Sequence, residues 1–336
     1  MDIDNISIII PTYNRGPLIR QCLDAVLAQQ YTGSAVEVIV VNDGSIDDTG
    51  DIVASYDNVR LITQKNAGPG AARNTGVSEA QGQIVVFTDD DCIPEPDWLQ
   101  HLLAAFSDSD IAGAKGAYFS RQKELIARFV QIEYEEKYDE LRKHQFIDFI
   151  DTYSAAFRKD VFLKMGGYDV SFSAASVEDQ DFSFKLANAG YKLSFVPEAR
   201  VWHRHVDTVS GYLYKKAKIG FWKILVFSNN PNKIVGDSHT PATLKLQITL
   251  VLISPLALVG FFNPIVGFIV LFIITVAFIL STLPLTLRCA KTEPVVALSA
   301  PFFIVCRAVA LTYGLLRGSI RKIAGDVRLT RHKSIK

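Results

Sequence analysis

An apolar run that stops at three consecutive carboxylates constrains this chain most. Ile84-Val85-Val86-Phe87 is β-branched and aromatic, and it is apolar on both alternating faces. Such a run reads as a strand buried on both sides of a sheet. Thr88 follows, and then Asp89-Asp90-Asp91-Cys92-Ile93-Pro94. In an open α/β sheet, ligands bind beyond the carboxyl ends of the strands. Three neighbouring anions there repel one another unless something positive joins them. Hard oxygen ligands suit Mg²⁺ or Mn²⁺, ions commonly shared with substrate phosphates. The same residues also fit a solvated acidic turn, with Asp97 capping the next helix.

The rest of the first 110 residues repeats this pattern. Residues 6–10, 36–41 and 59–62 are short apolar runs. The first two close on Pro11-Thr12-Tyr13-Asn14 and Asn42-Asp43-Gly44-Ser45. Residues 18–27 carry apolar side chains at helical spacing (Leu18, Ile19, Cys22, Leu23, Val26, Leu27), and 47–54 and 71–80 also read as helices. A Gly-rich loop, 65–70, precedes the last of these. Strands alternating with helices predict a mostly parallel sheet with crossover helices, and polar strand ends along one edge predict a binding crevice. Further on, 125–145 predicts a helix, 148–157 a strand on which Thr152-Tyr153-Ser154 face an acceptor, 182–189 a helix ending at Gly190, and 192–196 a short strand.

Formal net charge is zero, so the balance points to no nucleic-acid partner. Cys22, Cys92, Cys289 and Cys306 have neither CxxC nor Cys/His ligand spacing, and free thiols in a reducing compartment are expected. Met1-Asp2-Ile3-Asp4 is acidic and the apolar run after it is short, which does not fit an ordinary signal peptide.

Taken together, Pro11-Thr12-Tyr13-Asn14, Val41-Asn42-Asp43-Gly44-Ser45-Ile46-Asp47-Asp48-Thr49, Asn66-Ala67-Gly68-Pro69-Gly70-Ala71-Ala72-Arg73-Asn74 and Thr88-Asp89-Asp90-Asp91 occur in an order and spacing that closely resemble the family-2 glycosyltransferases with the GT-A fold. Gly166-Gly167-Tyr168-Asp169 and Val177-Glu178-Asp179-Gln180-Asp181-Phe182 extend the resemblance, which covers roughly residues 5–225. It implies an α/β, Rossmann-like nucleotide-sugar-binding domain and inverting, metal-dependent sugar transfer. By the same resemblance, Asp91 is a direct metal ligand, Asp89 touches the ribose or the metal shell, and Asp90 is a bystander or assists sugar binding. Pro11, Thr12 and Tyr13 line the base pocket, Asp43 meets the nucleobase edge, and Arg73 lies near base or phosphates. Asp179 is the base that deprotonates the acceptor hydroxyl. His203, with His205 as the alternative, approaches the metal and diphosphate. Glu178, Trp98 and Lys215 take acceptor-side or accessory roles. The Gln-x-x-Arg-Trp motif of processive polymer synthases is absent, which argues against long-chain polymerisation.

After about residue 242 the composition changes. Residues 246–262 and 265–287 are almost free of charge and are separated by Asn263-Pro264. Residues 295–316 are apolar apart from Arg307. A bilayer core of about 30 Å takes about 20 apolar residues as a helix. The first two segments predict a membrane hairpin. The third, with an arginine costly at mid-membrane, fits a span, a re-entrant segment or an interfacial helix. Arg288, Lys291 and the basic tail (317–336, including Arg317, Arg321, Lys322, Arg328, Arg331, Lys333 and Lys336) place both flanks in the cytoplasm by the positive-inside rule.

The organisation expected is therefore a catalytic domain over 1–225, a juxtamembrane linker over 226–243, a membrane region over 244–316 and a basic cytoplasmic tail. The basic, aromatic stretch 212–223 is expected on the anionic leaflet, and a cut after Lys233 is expected to release the catalytic domain. The partners implied are a UDP- or GDP-sugar donor, a lipid-linked or membrane-surface acceptor and the lipids of a cell (inner) membrane, with the catalytic domain cytoplasmic. The alternatives are a polyprenyl-phosphate glycosyl synthase and a non-catalytic nucleotide-sugar-binding assembly partner.

Overall fold

A computed structural model describes residues 5–172, 177–234 and 236–325. The basic tail residues Arg328, Arg331, Lys333 and Lys336 lie outside them.

The apolar runs become the centre of one sheet. β1 (Asn5–Thr12), β2 (Ala35–Asn42), β3 (Val59–Thr63) and β4 (Ile84–Phe87) pair in parallel, in the order β3-β2-β1-β4. All four residues of β4 are buried, as are Ile6 and Ile8–Ile10 of β1, because helices cover both sheet faces. α1 (Gly16–Leu27) buries Ile19, Cys22, Leu23 and Val26 of the stripe read from its periodicity, while Leu18 is half-buried and Leu27 exposed. α2 (Thr49–Ala54) follows β2, and α3 (Pro69–Glu79) begins at Pro69 after Gly68. Gly68 has φ +90°, a backbone that residues with a Cβ rarely adopt.

Beyond β4 the sheet continues through strands of mixed direction. β5 (Cys92–Pro94) leaves the acidic run, and α4 (Trp98–Ala104), whose N-cap is Asp97, leads to β6 (Ile111–Phe119). Helix α5 (Leu125–Leu141) follows, then β7 (Ala155–Arg158), α6 (Lys159–Lys164), α7 (Glu178–Asn188) and β8 (Lys192–His203). The order is completed as β4-β7-β6-β8-β5, with β7 antiparallel to β4 and β6, and β6 parallel to β8.

Two strands differ from expectation. The strand expected over 148–157 is confined to Ala155–Arg158, because Thr152–Ser154 forms a 3-10 turn fixed by the buried side chains of Tyr153 and Ser154. The strand expected to end at 196 runs on to His203. Pro197 does not stop it, since the register shifts where Lys115 and Ala117 flank an unpaired Gly116 and pairing resumes at Arg200.

α8 (Val209–Asn229) begins at Thr208, whose side chain accepts from Gly211 N at 3.2 Å. It is followed by α9 (Ala242–Ile253), which tightens into a 3-10 helix to Phe261, then α10 (Pro264–Thr292) and α11 (Pro294–Ile323). Asn263 caps α10 by accepting from Val266 N, and Pro264 occupies its first turn, so the Asn263-Pro264 break marks the hairpin turn. These three stretches are long and apolar enough to cross a membrane.

α10 exposes apolar residues on nearly all sides, whereas α11 has two unlike faces. Val296, Ala300, Phe303, Ile304, Ala308 and Leu311 are buried, and Leu298, Phe302, Val309, Tyr313, Ile320 and Ile323 form an exposed stripe at helical spacing. The buried face meets α5 and α8. A Cβ on Gly220 would stand 2.3 Å from Leu311 O, and one on Gly314 would stand 2.1 Å from Ala217 O, so α8 and α11 approach closely only because both are glycines.

α8 is therefore packed on α11 and not free on a leaflet. Its Lys216 points into the protein, 2.9 Å from Glu133, while Tyr214 and Lys215 are exposed, Lys215 at the edge of the cavity. The segment 226–243 is also no plain linker. α8 runs through its start, and Ser238 N and Oγ bond Asp148 Oδ1 at 2.9 and 2.6 Å. A cut after Lys233 would remove these contacts and strip α11 from Ile126, Phe129 and Tyr212, with which it shares a core. Releasing the catalytic domain by such a cut would therefore expose that shared core.

Candidate active site

The parallel strands deliver their polar ends to one edge. Thr12 and Asn42 pair at the ends of β1 and β2, and Asp43 N donates to Thr12 O at 2.9 Å. Thr12 Oγ1 donates to Asp90 Oδ2 at 2.7 Å, which ties the end of β1 to the acidic run. Burial pushes Asp90 up to about 7, against the opposing pull of the Thr12 hydrogen bond. Pro11 is buried beside Thr12, and Tyr13 is 46% exposed at the rim. Asp43 is buried and its carboxylate is taken up by the Gly-rich loop, accepting from Gln64 Nε2 (2.7 Å), Ala67 N (2.9 Å) and Gly68 N (2.8 Å). In this state it braces that loop.

α3 places Arg73 under the acidic run. Its guanidinium is buried, donates to Asp89 Oδ1 at 2.6 Å and lies 3.6 Å from Glu178 Oε1. Burial disfavours the charge, and the two carboxylates outweigh that and raise its pKa. Arg73 thus joins the end of β4 to the start of α7, two motifs about ninety residues apart in sequence. Its Nε and Nη1 are buried and make no hydrogen bond among the described residues.

Strand register brings the histidine to the acidic run. Cys92 of β5 pairs with His203 of β8, and His203 Nε2 lies 3.3 Å from Asp91 Oδ1. Burial would raise the Asp91 pKa, but the hydrogen bond and charge of His203 outweigh it and the net shift is downward. His203 also stacks on Tyr118, with centroids 4.6 Å apart. His205 turns away to Gln131 Oε1 at 3.0 Å, and burial holds it neutral, at about 3.

Donor atoms of Asp89, Asp91 and Cys92 lie within 4.8 Å of one another. Burial pushes the Cys92 thiol well above its usual range, so sulfur stays protonated and is a poor ligand for a hard cation. The two carboxylates, with His203 beside them, suit Mg²⁺ or Mn²⁺.

Asp179 sits in the first turn of α7, with Gln180 N donating to its Oδ1 at 2.7 Å. Burial, and then the neighbouring Glu178, push it up to about 7. Asp89, Glu178 and Asp179 share a cavity of about 980 Å³ with Arg73, Thr152, Tyr153 and Lys215. Lys215, whose pKa burial lowers, feels the charges of Asp91 and Asp89. Trp98 is fully buried in the core, with Nε1 donating to Ser154 Oγ at 2.8 Å, and does not line the cavity.

The sequence reading missed the groups that the 236–241 loop brings in. Gln180 Nε2 donates to His239 Nε2 at 3.0 Å, which leaves Nδ1 to carry the proton, 3.2 Å from Asp237 Oδ1. His239 also stacks on Phe149. A polar stretch ahead of a membrane segment carries no spacing signal that would have placed it beside α7.

The family model described as glycosyl transferase family 2 matches residues 7–166. Over these residues, just under half of its length, the chain resembles the family-2 glycosyltransferases. Among curated proteins, the chain is 32% identical over 222 residues to the probable glycosyltransferase YdaM of Bacillus subtilis, covering 62% of this chain and 52% of that protein. It is 31% identical over 207 residues to the glycosyltransferase AglE of Haloferax volcanii, covering 56% and 64% respectively. The chain thus spans about half to two thirds of the length of these relatives. The mannosyltransferase PcManGT from Pyrobaculum calidifontis, solved with GDP-Man and Mn²⁺, superposes with a TM-score of 0.60 at 19% identity, over 94% of this chain and 87% of that one. That likeness establishes the GT-A-like fold.

Proposed function

We propose that this protein is an inverting, metal-dependent glycosyltransferase that moves a sugar from a nucleoside-diphosphate donor to a hydroxyl of a membrane-associated acceptor. One observation carries the reading. Arg73 contacts both Asp89 and Glu178, so the acidic run at the sheet edge and the buried Asp179 face one cavity.

Asp89 and Asp91, with His203 alongside, would hold Mg²⁺ or Mn²⁺, which supplies charge neutralisation for the departing diphosphate. Thr12 and Tyr13 flank the nucleoside end, Asp43 holds the loop that closes over it, and Asp90 lies between them. Arg73 and Lys215 add positive charge for the diphosphate. Asp179 takes the acceptor proton as that oxygen bonds to the anomeric carbon and the bond to the donor phosphate breaks. A single displacement inverts the anomeric centre. The mannosyltransferase of like fold was captured with GDP-Man and Mn²⁺, which agrees with a UDP- or GDP-sugar here.

The reading places α9 and α10 across a cell membrane as a hairpin, with the catalytic domain cytoplasmic and α11 lying along the interface. A helix of 30 residues is about 45 Å long. α11 keeps one face on the catalytic domain and the other apolar face open, as an interfacial helix does.

A screen of UDP- and GDP-sugars for binding to the purified full chain, with Mn²⁺ and with EDTA, tests the donor side. One donor should bind only with metal. Metal-independent binding, or none, would defeat the reading.

A further inference from the structure

α7 offers a second polar group to the cavity that Asp179 lines. Gln180 is only 3% exposed, yet it lines the same cavity. Its side-chain amide is held at one end only. Nε2 donates to His239 Nε2 at 3.0 Å, while Oε1 makes no hydrogen bond among the described residues. Oε1 is not sealed off either, so it opens on the cavity.

The 237–240 loop fixes which end of the amide faces inward. His239 Nδ1 lies 3.2 Å from Asp237 Oδ1. That carboxylate is itself held, with Oδ1 accepting from Thr240 N at 2.6 Å and Oδ2 lying 3.2 Å from Lys245 Nζ. A carboxylate beside Nδ1 keeps the proton there, so Nε2 is an acceptor and takes an N–H of Gln180. Burial keeps His239 neutral against the pull of the Asp237 charge, and its ring stacks on Phe149 with centroids 4.3 Å apart. The first turn of α7 is pinned as well. Ser183 Oγ donates to Asp179 O at 2.7 Å and accepts from Ile150 N at 3.0 Å.

The orientation of this one amide decides what the wall beside the base recognises. A carbonyl oxygen accepts and cannot donate, and a buried one left without a partner is costly. Its neighbours in sequence on the cavity, Glu178 and Asp179, are carboxylates. An ionised phosphate brings only acceptor oxygens and has nothing to donate to these groups. A saccharide brings several hydroxyls, one for Asp179 and another for Gln180. Lysines elsewhere on the cavity wall do not alter what this oxygen takes.

We propose that Gln180 reads a second hydroxyl of a saccharide acceptor, with Asp237 and His239 as positioning residues that turn its carbonyl oxygen toward the sugar. The group glycosylated is then a sugar hydroxyl and not a lipid phosphate. The inference rests on the glycosyltransferase reading and gives its acceptor a chemical class.

The test uses the purified full chain in detergent, the donor that binds with its sugar radiolabelled, and a membrane lipid extract as acceptor. Mild acid cleaves a sugar joined to phosphate through its anomeric carbon and spares an ordinary glycosidic bond. The label should come off within an oligosaccharide or stay with the lipid. Label released as the free monosaccharide would overturn the proposal. Gln180→Met keeps the length without the oxygen and should lower kcat/KM for the extract by about tenfold, with donor affinity within about twofold. His239→Leu should lower it alike. His239→Gln keeps an acceptor near the place of Nε2 and should recover most of the activity, which a packing role alone would not give. Wild-type kcat/KM in Gln180→Met, an equal loss of its donor affinity, or a His239→Gln no better than His239→Leu would also overturn the proposal. If wild type transfers sugar to phosphate, this inference alone fails. If it transfers none, the glycosyltransferase reading fails and takes this inference with it.

Discussion

Arg307, midway along α11, donates to Glu133 Oε1 of α5 at 2.8 Å, both side chains buried. Glu133 also accepts from Tyr212 Oη at 3.0 Å and lies 2.9 Å from Lys216, and Arg307 Nη2 donates to Gln247 Oε1 at 2.9 Å. The residue that looked costly in a membrane is neutralised by the catalytic domain. Burial would raise the Glu133 pKa, but its two cations bring it down to about 2.

Breaking a buried pair from one side costs about 3–5 kcal/mol. Arg307→Gln and Glu133→Gln should each lower the melting temperature of the detergent-purified chain clearly. The double variant should cost less than the sum, because neither charge is then stranded. Strict additivity would mean that the two do not interact.

The two-faced α11 predicts a topology. A cysteine introduced at Ile46, exposed on the catalytic domain, and one at Ile323, near the end of α11, should share one side of the membrane. One at Phe262, in the hairpin turn, should react from the other. Labelling Ile323→Cys from the Phe262 side would make α11 a full span.

Asp91→Asn keeps the shape and removes a charge from the acidic run. Calorimetry should show loss of Mn²⁺-dependent donor binding, with the melting temperature little changed. Undiminished metal-dependent binding would remove Asp91 from the ion's ligands.

Asp179 works as a base only when ionised, and burial raises its pKa to about 7. kcat/KM should therefore rise with pH through about 7 and fall off on the acid side, and the limb should vanish in Asp179→Asn. A flat profile between pH 6 and 8 would mean that another group accepts the proton.

Much of the donor half was legible because it is local. β4 begins and ends where its apolar run does, α1 buries four of the six residues of its predicted stripe, and Asp89 meets Arg73 because α3 opens at the same sheet edge where β4 ends. What the sequence concealed is long-range. His203 reaches Asp91 through an antiparallel pairing of β5 with a strand more than twice the length expected, and a bulge hid that strand's continuation past Pro197. Trp98 reads as a cleft aromatic, but its indole N–H finds Ser154 inside the core. Lys216 looks like a leaflet anchor until α8 is seen packed on α11, with Gly220 against Leu311 and Gly314 against Ala217, and Glu133 beside the lysine. His239 sits in a polar stretch whose only sequence signal is that it precedes an apolar one.

Transfer by the purified full chain tests the account most directly, using the donor that binds, a membrane lipid extract as acceptor, and wild type beside Asp179→Asn. General-base catalysis contributes about 10²–10⁴-fold. The account predicts a metal-dependent glycolipid product from wild type and a loss of about that size in Asp179→Asn, with donor affinity within about twofold. Equal turnover by the two proteins, or a collapse of donor affinity in the variant, would contradict it.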